Sequence, residues 1–197
     1  MDGSTPLAVE TKLRRELLLG CGRSRAKRVT GSWGPKDWTY LTTLDMDADV
    51  LPDVVHDLDV CPYPFPSDSF DEVHAYEVLE HTGHAGDWRF FFRQMFELWR
   101  ILKPDGLLVA TTPMWDSPWA WGDPGHRRVF CKEMFLFLDR SEYAQLGQTS
   151  MTDYSFIWEG DFRKFTFLEE EHRFGFILQA VKPVRPYPHH DRSGEQA

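Results

Sequence analysis

The chain has 197 residues, with 22 Lys or Arg against 31 Asp or Glu and a net charge of −9. That length suits one domain with a full sheet and its covering helices, and the acidic balance disfavours nucleic acid as main partner, because neutralising phosphates needs a basic face. No run of about 18 apolar residues spans a bilayer, Met1–Pro6 lacks the regions of a secretion signal, and three cysteines without a Cys-x-x-Cys pattern predict reduced thiols, no structural zinc and a cytoplasmic setting.

Residues 1–10 read as loose. Glu16-Leu17-Leu18-Leu19 then reads as a buried strand ending in Gly20-Cys21-Gly22. Glycines there allow positive φ and leave bare N–H groups for a ligand. A plain tight turn gives the same pattern, and the third glycine of a dinucleotide fingerprint is replaced by Arg25. Tyr40–Leu44 is a second predicted strand with Asp45 at its end. Asp53–His56 is a brief third, followed by Asp57. From Asp37 to Trp88 there is no Lys or Arg and there are thirteen acidic residues, which is either a solvated surface or a field suited to a cationic ligand.

Pro62, Pro64 and Pro66 alternate and demand a loop. Strand four follows at Asp71–Ala75. Phe91, Phe92, Met95, Phe96, Trp99 and Leu102 recur at helical spacing, predicting an amphipathic helix over Asp87–Leu102. Lys103–Gly106 turns into Leu107–Thr111, an unbroken apolar run of the kind buried on both faces. A second helix is predicted over Lys132–Gln145, ended by Gly147, with strands six and seven at Thr152–Trp158 and Arg173–Val181. Residues 1–183 thus form one α/β domain, and the Pro- and His-rich tail 184–197 is expected to be disordered.

Four segments in this order resemble the class I S-adenosylmethionine-dependent methyltransferases, in particular the small stand-alone methyltransferase-domain proteins. They are Leu18–Gly22, Leu44-Asp45, Pro64–Val73 leading to Val78-Leu79-Glu80-His81, and Arg100–Gly106. The ending Phe176–Pro183 is similar to the last strand of that fold. The resemblance implies a Rossmann-like seven-stranded, mainly parallel sheet with an antiparallel last strand and helices on both faces, and S-adenosylmethionine at the carboxyl ends of the strands. It further implies that Gly20, Cys21 and Gly22 pass close to the methionine moiety and ribose, that Asp45 with Met46 meets the ribose, that Asp57 and Leu58 hold the adenine, and that Glu77 faces the methionine end. Two features depart from the pattern. Leu18 stands where the family usually has an acidic residue, Glu16 lies two positions further back, and the helix after the glycine loop is short or absent.

A methyl acceptor that is a hydroxyl or a protonated amine needs a general base. His126 is the first candidate and His81 the second, with Asp123 and Glu80 behind them. His81 and His84 lack a third ligand, so no metal is expected. Trp115, Trp119 and Trp121 sit in a Pro/Gly-rich loop. They line an acceptor pocket or form a subunit contact such as a homodimer, and both readings stay open. Asp123–Phe130 is similar to an Asp-Pro-x-His-x-Arg stretch of small methyltransferases in saccharide and secondary-metabolite pathways. The expected function is therefore methyl transfer to oxygen or nitrogen of a small molecule or saccharide. The alternative is a methyltransferase-like binding protein with its cofactor site eroded at Leu18.

Overall fold

The computed structural model describes residues 13–28 and 36–188. The predictions for residues 1–10 and for 189–197 lie outside them. Seven strands form one sheet: β1 (Arg15–Leu19), β2 (Tyr40–Asp45), β3 (Val54–Val55), β4 (Phe70–Tyr76), β5 (Leu102–Pro113), β6 (Phe162–Glu169) and β7 (Arg173–Ala180). Their order is β3-β2-β1-β4-β5-β7-β6. The first five run parallel, whereas β7 is antiparallel to both β5 and β6.

Strand alternation divides the buried side chains between the two faces. Leu17, Leu19, Val73, Ala75, Leu108 and Ala110 belong to the main core, where helix α1 (Trp88–Ile101) packs Phe92, Met95, Leu98 and Ile101 against them. The Asp87 carboxylate accepts from the Phe90 N–H at 3.0 Å and caps that helix, a contribution of about 1 kcal/mol. On the opposite face Leu18, Tyr76, Val109 and Ile177 make a smaller cluster. Trp38, Leu41 and Val50 cover it, the last from a 3₁₀ turn over Ala48–Val50.

Four elements differ from the sequence reading. Lys103–Gly106 is a bulge inside β5 rather than a turn before it: Leu102 already pairs with Phe70, the ladder resumes at Leu107 opposite Glu72, and Asp105 takes φ 62° between them. The predicted helix over Lys132–Gln145 is two 3₁₀ helices, Lys132–Leu138 and Arg140–Gln145. Asp139 breaks it in an extended conformation, accepting from the Ser141 N–H at 2.9 Å and pairing with Arg185 at 2.7 Å. Thr152–Trp158 is no strand but a turn in which the N–H groups of Ile157 and Trp158 both donate to the Tyr154 carbonyl at 3.0 Å. It sinks the Trp158 indole into the core. The sixth strand is β6 instead. As an edge strand it exposes most of its side chains and so lacks an apolar signature.

The fourth difference is the start of the supposed tail. Val184–Pro188 is ordered against the body: Arg185 forms hydrogen-bonded ion pairs with the fully buried Asp161, and the Tyr187 hydroxyl donates to the Trp158 carbonyl at 2.6 Å. A buried carboxylate needs a cation, and the chain supplies it from beyond its last strand.

Candidate active site

The carboxyl ends of β1 to β4 gather every residue expected at the cofactor. Gly20 and Gly22 have φ 57° and 50°. A Cβ on Gly20 would lie 2.3 Å from Val78 Cγ2, whereas one on Gly22 would project into open space. The Gly22 N–H donates to Asp45 Oδ2 at 2.8 Å, and the Asp47 N–H donates to Oδ1 at 3.0 Å. Each Asp45 oxygen keeps a further lone pair for a ligand hydroxyl. Arg25 ties the loop down from outside, donating to the carbonyls of Gly22 at 2.7 Å and Val50 at 2.8 Å.

Met46 is 68% exposed beside Asp45. After β3, Asp57 is exposed and accepts from the Asp59 N–H at 2.9 Å, while Leu58 is buried. Glu77 follows β4 at φ 54°, its own N–H donating to the Thr111 carbonyl at 2.8 Å, and its Oε1 is buried without a hydrogen-bond partner. Cys21 is buried, and desolvation pushes its thiol pKa up, so it is no thiolate nucleophile.

The acidic residue missing at Leu18 is not replaced from Glu16. Glu16 is fully buried beneath the opposite face, where its carboxylate takes Lys27 Nζ and the Thr39 N–H at 2.7 Å. Lys27 also reaches Glu72 at 3.2 Å, and Arg14 meets Glu72 at 2.6 Å. Burial lowers the His74 pKa, so its ring is neutral. It donates from Nε2 to Glu72 at 2.9 Å and accepts the Tyr76 hydroxyl on Nδ1 at 2.6 Å.

Beyond β4 a second group of residues assembles. His81 ends a 3₁₀ turn over Leu79–His81, and His126 follows the short helix α2 (Pro118–Gly122). The two rings meet edge to face with centroids 4.7 Å apart. The backbone joins the segments: the N–H groups of Arg127 and Arg128 donate to the Glu80 carbonyl at 2.8 and 3.1 Å, and Arg127 pairs with Asp59 at 2.6 Å. Each imidazole is oriented by a main-chain carbonyl, His81 Nδ1 at 3.1 Å from Gly125 O and His126 Nδ1 at 2.9 Å from Trp119 O. A carbonyl only accepts, so Nδ1 carries a proton in both rings, which leaves Nε2 as the accepting nitrogen of the neutral form. Asp123 Oδ2 lies 3.8 Å from Nε2 of His126. Glu80 is 2% exposed, and burial followed by the charges of Glu77 and Asp123 pushes its pKa up to about 8. His84 is exposed and outside this group.

His126 borders a cavity of about 530 Å³ walled largely by aromatic side chains, among them Phe91, Phe92, Trp121, Phe137 and Tyr154. Trp121 also lines a second cavity of about 540 Å³ with Trp115, Val129 and Phe174. Trp115, Trp119 and Trp121 are 55–72% exposed. Arg128, not foreseen as a site residue, lies in the first wall. It is buried, with its guanidinium 5.3–5.8 Å from the rings of Phe90, Phe91 and Phe130, and burial lowers its pKa to about 10 against the charges of Asp87 and Asp59. Its one sequence signal was its place as the last residue of the Asp-Pro-x-His-x-Arg stretch.

The sheet order, the glycine turn at β1 and the carboxylate at the end of β2 are those of a Rossmann-like nucleotide-binding α/β domain. A family model described as "Methyltransferase domain" matches residues 17–110. Over those residues the chain is similar to the class I S-adenosylmethionine-dependent methyltransferases, whose cofactor is S-adenosylmethionine. The fold is shared with a solved SAM-dependent methyltransferase from Archaeoglobus fulgidus, at 16% identity, a TM-score of 0.51 and coverage of 85% of this chain and 86% of that one. It is shared too with a structure described as a complex between the Haloferax volcanii Trm112 methyltransferase activator and a putative methyltransferase, at 14% identity, a TM-score of 0.53 and coverage of 88% and 85%. No curated protein matches the sequence. The residues present fit the cofactor: Gly22 leaves open space above the strand ends and Asp45 has acceptor capacity left, while Glu77 Oε1 accepts no hydrogen bond and lies 3.6 Å from Arg173 Nε.

Proposed function

We propose that this chain transfers a methyl group from S-adenosylmethionine to an oxygen or nitrogen atom of a small-molecule or saccharide acceptor. The observation that carries this reading is the aromatic cavity of about 530 Å³ with His126 at its border, a size that suits a small ligand. Bound S-adenosylmethionine supplies a methyl group already activated by the sulfonium charge. The chain's own work is then placement. Gly20, Cys21 and Gly22 give backbone contact, Asp45 with Met46 holds the ribose, Asp57 and Leu58 hold the adenine, and Glu77, in place of the acid absent at Leu18, takes the ammonium group. Alignment of this kind can contribute roughly 7–11 kcal/mol. His126 Nε2 accepts the proton that the acceptor loses, a factor of about 10² to 10⁴ in rate, with His81 packed on its ring. Stacking on Trp121 and the phenylalanines favours a sugar ring or an aromatic acceptor.

Leu18, buried where the family carries an acid, supports a second reading, a binding protein that keeps the fold without catalysis. Calorimetric titration with S-adenosylmethionine and S-adenosylhomocysteine separates the two. Micromolar binding of both, abolished by Asp45→Ala, is expected, followed by methylated product from a screen of sugars and phenols. Absence of binding by both ligands would overturn the enzyme reading.

A further inference from the structure

We propose that Glu80, His81 and His126 form a binding site for a divalent transition-metal cation. One carboxylate oxygen of Glu80 and one nitrogen from each imidazole lie within 4.8 Å of one another. A metal was not expected because His84 was the only apparent companion of His81. The third ligand arrives instead from His126, 45 residues along the chain and joined to Glu80 through the backbone.

Three observations point to a cation. Both Glu80 carboxylate oxygens are buried without a hydrogen-bond partner, beside the Glu77 carboxyl, an arrangement that costs free energy unless a proton or a cation completes it. Each imidazole has its Nδ1 committed to a main-chain carbonyl, the outer contact that orients metal-ligating histidines and leaves Nε2 to the ion. The third comes from comparison within the molecule. Glu16, Glu72 and His74 offer the same donor types within the same 4.8 Å, but there the Lys27 ammonium already sits on both carboxylates. No Lys or Arg among the described residues pairs with Glu80. One cluster carries its own cation and the other is left to receive one.

An ion would hold the three ligand atoms at about 2.0–2.2 Å. Two imidazoles and one carboxylate suit Zn²⁺, Mn²⁺ or Fe²⁺ better than Mg²⁺ or Ca²⁺. Three protein ligands leave a coordination position open. Since His126 borders the aromatic cavity, the ion would sit at its edge. The role of the ion rests on the methyl-transfer reading: it would hold and polarise the acceptor oxygen, so that in the loaded protein His126 acts as ligand in place of base. Binding of the ion itself does not depend on that reading.

The test is calorimetric titration of the EDTA-treated full chain with Zn²⁺, Mn²⁺ and Mg²⁺. The expected result is one Zn²⁺ per chain at micromolar affinity or tighter, Mg²⁺ at least tenfold weaker, and a loss of at least tenfold for Zn²⁺ in both Glu80→Gln and His126→Ala. His126 lies in a loop, so its variant reports even if the buried Glu80 variant misfolds. No stoichiometric binding, or Zn²⁺ affinity unchanged in the variants because ions go to the His189-His190 pair, would overturn the site. S-adenosylmethionine titrated into the same metal-free protein keeps the outcomes separate: cofactor binding without metal binding removes only this site, and metal binding without cofactor binding removes only the methyl-transfer reading.

Discussion

Lys27→Met strikes the buried network under the glycine loop. The Lys27 side chain is 4% exposed and the Glu16 side chain 0%, and the ammonium contacts both Glu16 and Glu72. Glu72 keeps Arg14 and His74, but Glu16 is left with the Thr39 N–H alone. Stripping the partner from a buried charge costs about 3–5 kcal/mol, so Lys27→Met should lose that much, read as a lower urea midpoint at unchanged slope. Adding Glu16→Gln removes the stranded charge while preserving the acceptor for Thr39, and should recover most of the loss.

The pH dependence gives an independent check. In the wild type, burial would raise the Glu72 pKa, but the hydrogen bond with His74 and the charges of Lys27 and Arg14 hold it well below the usual carboxylate range. Its stabilisation is therefore present above the unfolded pKa and is lost as pH falls through the folded value. In Lys27→Met the unpaired Glu16 carboxyl is raised instead, and its cost appears as pH rises above about 4.3. The gap between the proteins should thus shrink as pH falls from 7 to 4. A loss below about 1 kcal/mol at pH 7, the level of an exposed pair, or a gap independent of pH, would refute the reasoning.

Gly20→Ala puts a Cβ 2.3 Å from Val78 Cγ2 at a residue with φ 57°. It should cost about 1–3 kcal/mol from backbone strain alone, seen in thermal melting, and should weaken S-adenosylmethionine binding by displacing the turn. Arg185→Ala strips the guanidinium from the fully buried Asp161 and leaves it only main-chain donors, the Arg140 N–H at 3.2 Å and the N–H of residue 185 itself at 2.9 Å. A loss of roughly 2–4 kcal/mol in urea denaturation is expected, whereas an ordinary surface arginine would cost under about 0.5 kcal/mol. Glu97→Ala removes the acceptor of the Tyr63 N–H at 2.7 Å and the partner of Arg100. Faster amide exchange at Tyr63 should follow, with α1 itself retained.

The sequence alone was enough for the parallel half of the sheet and for α1, because those elements are buried by rules of period: Leu17, Val73 and Leu108 alternate toward one face, and Phe92, Met95 and Trp99 recur on one side of a helix. It also carried the ordered motifs from which the cofactor end was read, since strand-end glycines and carboxylates act through local geometry. It could not place β6, whose exposed edge has no apolar signature. Nor could it find the break at Asp139, made by an ion pair with Arg185, 46 residues away. The meeting of His81 with His126 was beyond it for the same reason. Only tertiary structure decided which buried carboxylate has a cation and which has none, because Lys27 reaches Glu16 and Glu72 across the sheet, while no side chain among the described residues does the same for Glu80.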